Sequence, residues 1–411
     1  MTKHEAYIWA DAPNFRDPEV IQDPIPHYKR MFAHGQPFYD PQEQVWYVFS
    51  WADVRTVLRN KSSSVNRFSG YLQRMPAEKQ AVLKPFFDNL GRWMTFIDDE
   101  AHRKLRKPVQ KAFDSSILKQ WEGWLENSSQ ELVRIALEKD EIELMSQIAE
   151  PLPLLLICEM LGIPESDSRE IKDHYEAIVA FFDHSTDPEI AKKALQSEHI
   201  LRTYMHARID HARSSSASTL MTLLVRLQEE EADLSDADIA ANAILILGAG
   251  HETTTSLLGT AVWLAYQHEG WVERVATDSV FRNGLIEEAL RLQPPLQRTS
   301  RLTRAEVQLG NVCIPKGERI CLLFGAANRD PAFFDEPDVA NPLRKKNQHF
   351  AFSGGAHFCA GARVARMEAS IVLKELCIRA PNYQWKKEKP KWLDNMTFRG
   401  LTSLKLQKIA D

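Results

Sequence analysis

The sequence predicts a mostly α-helical fold carrying small β-sheets. Three observations predict it. Apolar residues recur three and four apart over 117–137, 168–182, 188–212 and 217–228, which is the period of an amphipathic helix. Short β-prone runs bounded by turn residues cluster near the start and in the last third, around 37–49 and 302–326, with the remainder helical. The 411 residues are 44% hydrophobic and 26% charged, a balance that supplies a large core. No Gly/Ser linker, low-complexity block or fixed-period repeat divides the chain, so 1–411 reads as a single domain.

Taken in order, "PFYD" and "QVWYVFS" read as two short strands around Pro41 to Gln44, and "WADVRTVLRN" follows as a helix. Segment 62–97 shows no regular period. Helical periodicity then dominates to about 292. "EVQLGNVCIP" reads as a hairpin turning at Gly310-Asn311, "RICLLF" as a further strand, and 360–379 as a helix. Within the helical region, Ser235 and Asp238 resemble a capping box. The periodic pattern runs from there to Gly270, a helix of about 32 residues and roughly 48 Å. Its centre reads "GAGHETTT". Gly248 and Gly250 weaken the helix there, and Thr253 can bond back to a carbonyl and widen the ladder. A polar patch touching a neighbouring element is the plain structural reading of such a centre.

A net charge of −5 gives no reason to expect nucleic acid as a partner. The opening "MTKHEAYIWADAPNF" has no apolar signal core, and the longest apolar run, Ile239 to Gly250, is shorter than a membrane span. The expectation is a soluble, cytoplasmic protein without a membrane anchor. Five cysteines, an odd number, have spacings that fit neither a zinc site nor a disulfide framework. Cys158, Cys313, Cys321 and Cys377 read as small core residues. Cys359 does not.

Cys359 ends "FSGGAHFC", the most glycine-dense bend in the chain, where a helix begins. Gly354 and Gly355 permit positive φ and close approach of the backbone to something flat. A thiol at a helix N-terminus is favoured as the anion by the dipole and the free amides. Such a thiolate can be a nucleophile, with His357 as the local base. It can also be the axial ligand of haem iron, or the residue can be a buried cysteine in a glycine turn.

Phe352, Gly355, His357, Cys359 and Gly361, as Phe-x-x-Gly-x-His-x-Cys-x-Gly, resemble the haem-binding signature of the cytochrome P-450 family. Further motifs stand in the family's order over roughly 95–370. Ala249, Gly250, Glu252 and Thr253 match its Ala/Gly-Gly-x-Asp/Glu-Thr, and Glu288-x-x-Arg291 matches its Glu-x-x-Arg, which ends at Pro294-Pro295. His102 and Arg106, at i and i+4 in "AHRKLR", match its His-x-x-x-Arg. The resemblance implies a cytochrome P-450 fold with haem b (iron protoporphyrin IX) between a long central helix and the cysteine-loop helix. It implies Cys359 as iron ligand, Thr253 and Glu252 as catalytic proton handlers, and a buried Glu288–Arg291 pair beneath the loop. Arg344 would be that pair's third arm, although Ala340 and Asn341 depart from the family's Phe and Asp. His102, Arg106, Arg301 and His357 would hold the haem propionates, with Arg298 competing for the role of Arg301. Ala249, Phe352 and Gly361 would also contact the haem.

By the same resemblance, segment 62–97 lines a substrate pocket through Phe68, Tyr71, Leu72, Phe86, Phe87 and Trp93. Phe181, Phe182, Ala249, Leu296 and Phe398 join it, and "DHSTDP" forms a lid. The implied enzyme is a soluble bacterial-type haem-thiolate monooxygenase of the sort found in secondary metabolism. It inserts one oxygen atom from dioxygen into a lipophilic substrate by hydroxylation or epoxidation. No flavin, nicotinamide or iron–sulfur motif occurs, so electrons would come from a ferredoxin or flavodoxin-type donor with its reductase. Arg103, Lys104, Lys107, Lys111, Arg344, Lys345, Lys346, Arg363 and Arg366 would steer that acidic donor. Other readings are oxidative coupling or peroxide-driven oxidation on the same fold, or a non-enzymatic haem-thiolate binding protein.

Overall fold

The computed structural model describes residues 4–66, 76–113, 115–183, 187–231 and 234–409. Phe68, Tyr71 and Leu72, and residues 184–186 of the expected lid, lie outside them. Helices dominate. The helices used below are α1 (Trp51–Arg59), α2 (Ala77–Leu90), α3 (Asp99–Ala112), α4 (Ser168–Asp183), α5 (Asp236–Gln267), α6 (Ser279–Leu292) and α7 (Ala362–Arg379). The chain forms two compact units, one of 1–64, 126–150 and 253–411, the other of 65–125 and 151–252.

The first unit holds the sheets. Five strands run in the order β1 (Phe38–Asp40), β2 (Val45–Val48), β5 (Arg319–Leu323), β4 (Arg298–Thr303) and β3 (Ser63–Ser64). Only β2 and β5 pair in parallel, with Tyr47 opposite Cys321. Alternation along β2 explains why every residue in it is buried. Trp46 and Val48 join α1 residues Val54 and Val57 in one core, while Val45 and Tyr47 join Tyr28, Met31 and Phe38 in another. Ser50 caps α1 by accepting the Asp53 amide at 3.1 Å. The "QLGNVC" turn forms as a two-stranded hairpin, with Leu309 opposite Val312 and Gly310 at φ +54°.

The long helix, α5, spans 32 residues. Its capping box closes in both directions, Asp238 N to Ser235 Oγ and Ser235 N to Asp238 Oδ2, each at 3.2 Å. The backbone stays α-helical through Gly248–Thr254, so the expected widening of the ladder brings no change of helix type.

Four sequence expectations need correction. Segment 62–97 is not irregular throughout, because α2 occupies Ala77–Leu90. Leu83, Phe86, Phe87 and Leu90 recur three and four apart and are buried, but Pro85 interrupts the pattern. The helical remainder also contains a three-stranded sheet of Glu141–Glu143, Lys405–Lys408 and Tyr383–Trp385. Each strand is three or four residues long, with Ile142 and Leu406 as its wholly buried residues, too little for a period to show. Strand β4 starts at Arg298 rather than near 302. Finally, Cys158, Cys321 and Cys377 are buried, but Cys313 is exposed. It sits between buried Val312 and Ile314, and strand alternation turns it outward.

Candidate functional site

In the first unit, the cysteine loop leads into α7 through a short 3-10 turn, Gly355–His357. The Cys359 amide donates to the Phe352 carbonyl at 3.0 Å, and the thiol-bearing residue is exposed. Gly355 takes φ +67°, and a Cβ there would lie 2.4 Å from the Leu58 carbonyl oxygen of α1. Gly354 is extended, not left-handed, and Ser353 takes positive φ instead. Thus Gly355 is required where the loop presses on α1. At Gly361 a Cβ would meet nothing within 4 Å.

Beneath the loop, Glu288 and Arg291 on α6 are wholly buried and paired in two parallel bonds of 2.7 and 2.8 Å. Their i, i+3 spacing puts them on one helix face. Arg344 Nε reaches Glu288 at 3.2 Å, so Arg344 is the third arm rather than a surface cation. Asn347 Nδ2 and the Asn341 amide also donate to Glu288, each at 2.8 Å. Arg291 in turn donates to the carbonyls of Asn328, Pro337 and Val339. The charge pair therefore ties α6 to the segment before the loop.

A second network was not visible in the sequence. Glu287, next to Glu288, receives Arg366 Nε at 2.6 Å and Nη2 at 2.9 Å, and lies 3.2 Å from His349 Nε2. Burial alone would raise its carboxyl, but these partners hold it at about 2. Arg366 also stacks on the Phe352 ring at 4.4 Å. Arg366 thus links α7 to α6 through a partly exposed pair, a contact the sequence did not indicate. Lys345, Lys346 and Arg363 remain exposed in this unit, as do Arg103, Lys104, Lys107 and Lys111 in the other.

Arg301 on β4 is 5% exposed and donates to the Ser300 carbonyl at 2.8 Å, while His357 is partly buried. Arg298 instead turns to Tyr47, Thr397 and Met396. Leu296 and Phe398 face each other across an isolated antiparallel bridge, and both are partly buried. Thr253, the first residue of this unit on α5, is partly buried.

In the second unit, α3 carries buried His102 and partly buried Arg106. Burial first, and Arg106 second, lower the pKa of His102. Phe86, Phe87 and Phe181 pack edge to face at 5.1 to 6.0 Å, and Trp93 stacks with Phe96 and Tyr175. These rings are buried, whereas Phe182 is 37% exposed. On α5, Ala249 is exposed and Gly248 lies against Tyr175. Glu252 is partly buried, and burial, followed by the nearby Glu176 carboxylate, raises its pKa to about 7. Among the described residues, no helix is long and apolar enough to cross a membrane.

A family model for cytochrome P-450 matches residues 281–404, which include the α6 pair and the cysteine loop. The chain is 31% identical over 365 residues to a cytochrome P-450 of Bacillus subtilis, covering 87% of each chain. It is 28% identical to the beta-dihydromenaquinone-9 omega-hydroxylase of Mycobacterium tuberculosis, over 95% of this chain and 77% of that one. Among solved structures it resembles CYP109E1 of Bacillus megaterium in complex with testosterone. That match has a TM-score of 0.84 and 30% identity, and covers 96% of this chain and all of the other. The chain belongs to the cytochrome P-450 family of haem-dependent monooxygenases.

Proposed function

We propose that this protein is a haem b monooxygenase that oxidises a moderately sized lipophilic molecule, with 1–411 acting as one catalytic domain and Cys359 as the iron ligand. The observation that carries the reading is the exposed thiol of Cys359, set before an 18-residue helix and braced by one wholly buried and one partly exposed ion-pair network. The donor set suits the cofactor. One soft thiolate serves iron, and His102, Arg106, Arg301 and His357 offer donors for two propionates. Ala249, Phe352 and Gly361 are assigned to the ring's surroundings.

When bound, haem supplies dioxygen activation using two electrons. The chain supplies the protons. Glu252, with its pKa near neutrality, can both hold and release a proton at working pH, and the Thr253 hydroxyl follows it in sequence. Glu288 and Arg291 keep the loop's support rigid. Phe86, Phe87, Trp93, Phe182, Leu296 and Phe398 are the proposed pocket walls. Testosterone bound to CYP109E1 and the menaquinone-derived name of the mycobacterial relative support a lipophilic substrate.

Electrons are assigned to a separate ferredoxin or flavodoxin-type donor, steered by the exposed Lys345, Lys346 and Arg363 and by the basic face of α3. Presence of both Glu252 and Thr253 favours dioxygen over peroxide as oxidant. Two experiments test the reading. Replacing Cys359 with alanine is expected to abolish the red-shifted Soret band that thiolate-ligated ferrous haem gives with carbon monoxide. Survival of that band overturns the ligand assignment. Steroids and quinone lipids are then screened for a Soret spin shift and for turnover with reduced ferredoxin against hydrogen peroxide.

A further inference from the structure

Beside Glu252 lie two groups to which the oxygenation reading assigns nothing, Glu176 on α4 and His251 on α5. One ligand atom from each of Glu176, His251 and Glu252 lies within 4.8 Å of the others. His251 is only 2% exposed. Its Nδ1 is 3.1 Å from the Leu247 carbonyl oxygen. A carbonyl only accepts, so Nδ1 carries the hydrogen and Nε2 carries the lone pair. That Nε2 is buried and has no hydrogen-bond partner among the described residues. A buried, unsatisfied acceptor needs a physical reason.

The surroundings give one. Histidines that bind metal commonly donate their other ring N–H to a backbone carbonyl, the arrangement found at Leu247. Burial favours the neutral imidazole, which is the ligating form. Two carboxylates converge on the same place, and their mutual repulsion is relieved by a dication. We propose that Glu176, His251 and Glu252 form a binding site for a divalent metal ion of the zinc class, with water completing its shell. Nitrogen with two carboxylate oxygens suits zinc, and bond lengths of about 2.0–2.2 Å put tetrahedral ligand atoms roughly 3.3 Å apart. The exposed side chain of Glu176 has the rotamer freedom to close the remaining distance.

Lys172 is the built-in competitor. Its ammonium lies 2.6 Å from a Glu176 oxygen and must leave that oxygen when a cation enters. A bound metal would also occupy the Glu252 carboxylate and slow its proton exchange. Only this consequence rests on the monooxygenase reading; metal binding itself does not.

The test is equilibrium dialysis of the haem-loaded full chain against Zn2+, with bound zinc measured by atomic absorption. The parent is expected to take up one ion per chain. Glu176→Gln, at an exposed position, is expected to weaken uptake at least tenfold with haem content unchanged. Lys172→Met is expected to tighten it several-fold, and His251→Gln to abolish it. Absence of stoichiometric zinc, or equal affinity in the parent, Glu176→Gln and Lys172→Met, overturns the proposal. Neither outcome depends on turnover, so the assignment of the reaction stands or falls separately.

Discussion

Replacing Glu288 with glutamine is the sharpest probe of what holds the cysteine loop. Glu288 is wholly buried and receives Arg291 through two bonds, Arg344 through one, and two amides, from Asn341 and Asn347. Glutamine keeps the volume but removes the charge, leaving two guanidinium groups in a site built for an anion. Breaking a buried pair from one side costs about 3–5 kcal/mol. Unfolding entropy of about 2.1 cal/mol/K per residue gives roughly 0.9 kcal/mol/K over 411 residues. The melting temperature of the haem-loaded protein is therefore expected to fall by about 4–6 °C, measured by circular dichroism at fixed haem occupancy. Glu131→Ala is the control, since its partner Arg134 is about half exposed and water screens the pair. If Glu288→Gln melts within about 1 °C of the parent, as the control is expected to, the buried network does not brace this region.

Three further outcomes follow from the geometry. Glu252 binds a proton in the folded chain up to about pH 7, whereas an unperturbed Glu releases it near its ordinary value of 4.5. Stability is therefore expected to fall as pH rises through that window, by on the order of 3 kcal/mol, and urea titrations of Glu252→Gln should lose this slope. A Cβ at Gly248 would lie 1.6 Å from Tyr175 Cζ, whereas at Gly123 it would meet nothing within 4 Å. Gly248→Ala is expected to lower stability by about 1–3 kcal/mol. Gly123→Ala is expected to raise it by about 0.5–1 kcal/mol, and denaturant midpoints separate the two. Arg366→Ala strips Glu287 of its two-bond partner, so its carboxyl pKa is expected to rise from about 2; the variant is then less stable than the parent above its ordinary value of 4.5, and urea titrations should show that deficit shrinking as pH falls below 4.5.

Much was fixed by local chemistry and so could be read from the chain. Ser235 and Asp238 cap a helix wherever it lies, and Glu288 and Arg291 share a face at any i, i+3 spacing. Gly310 turns its hairpin through its own φ. The glycine-rich approach to Cys359 belongs to the same class, and with it the family. Helix α2 was hidden because Pro85 broke the apolar period, although tertiary burial of Phe86 and Leu90 holds the helix regardless. What only the fold decided are meetings between residues far apart in sequence. Arg344's place at Glu288 was already implied by the family resemblance, but nothing in the chain paired Arg366 with Glu287 on α6. Gly355 is needed because Leu58 lies against it, and Glu176 comes to His251 and Glu252 only because α4 packs there. Periodicity and caps depend on neighbours a few residues away. Charge pairing between distant segments depends on which elements pack together, and no spacing in the chain encodes that.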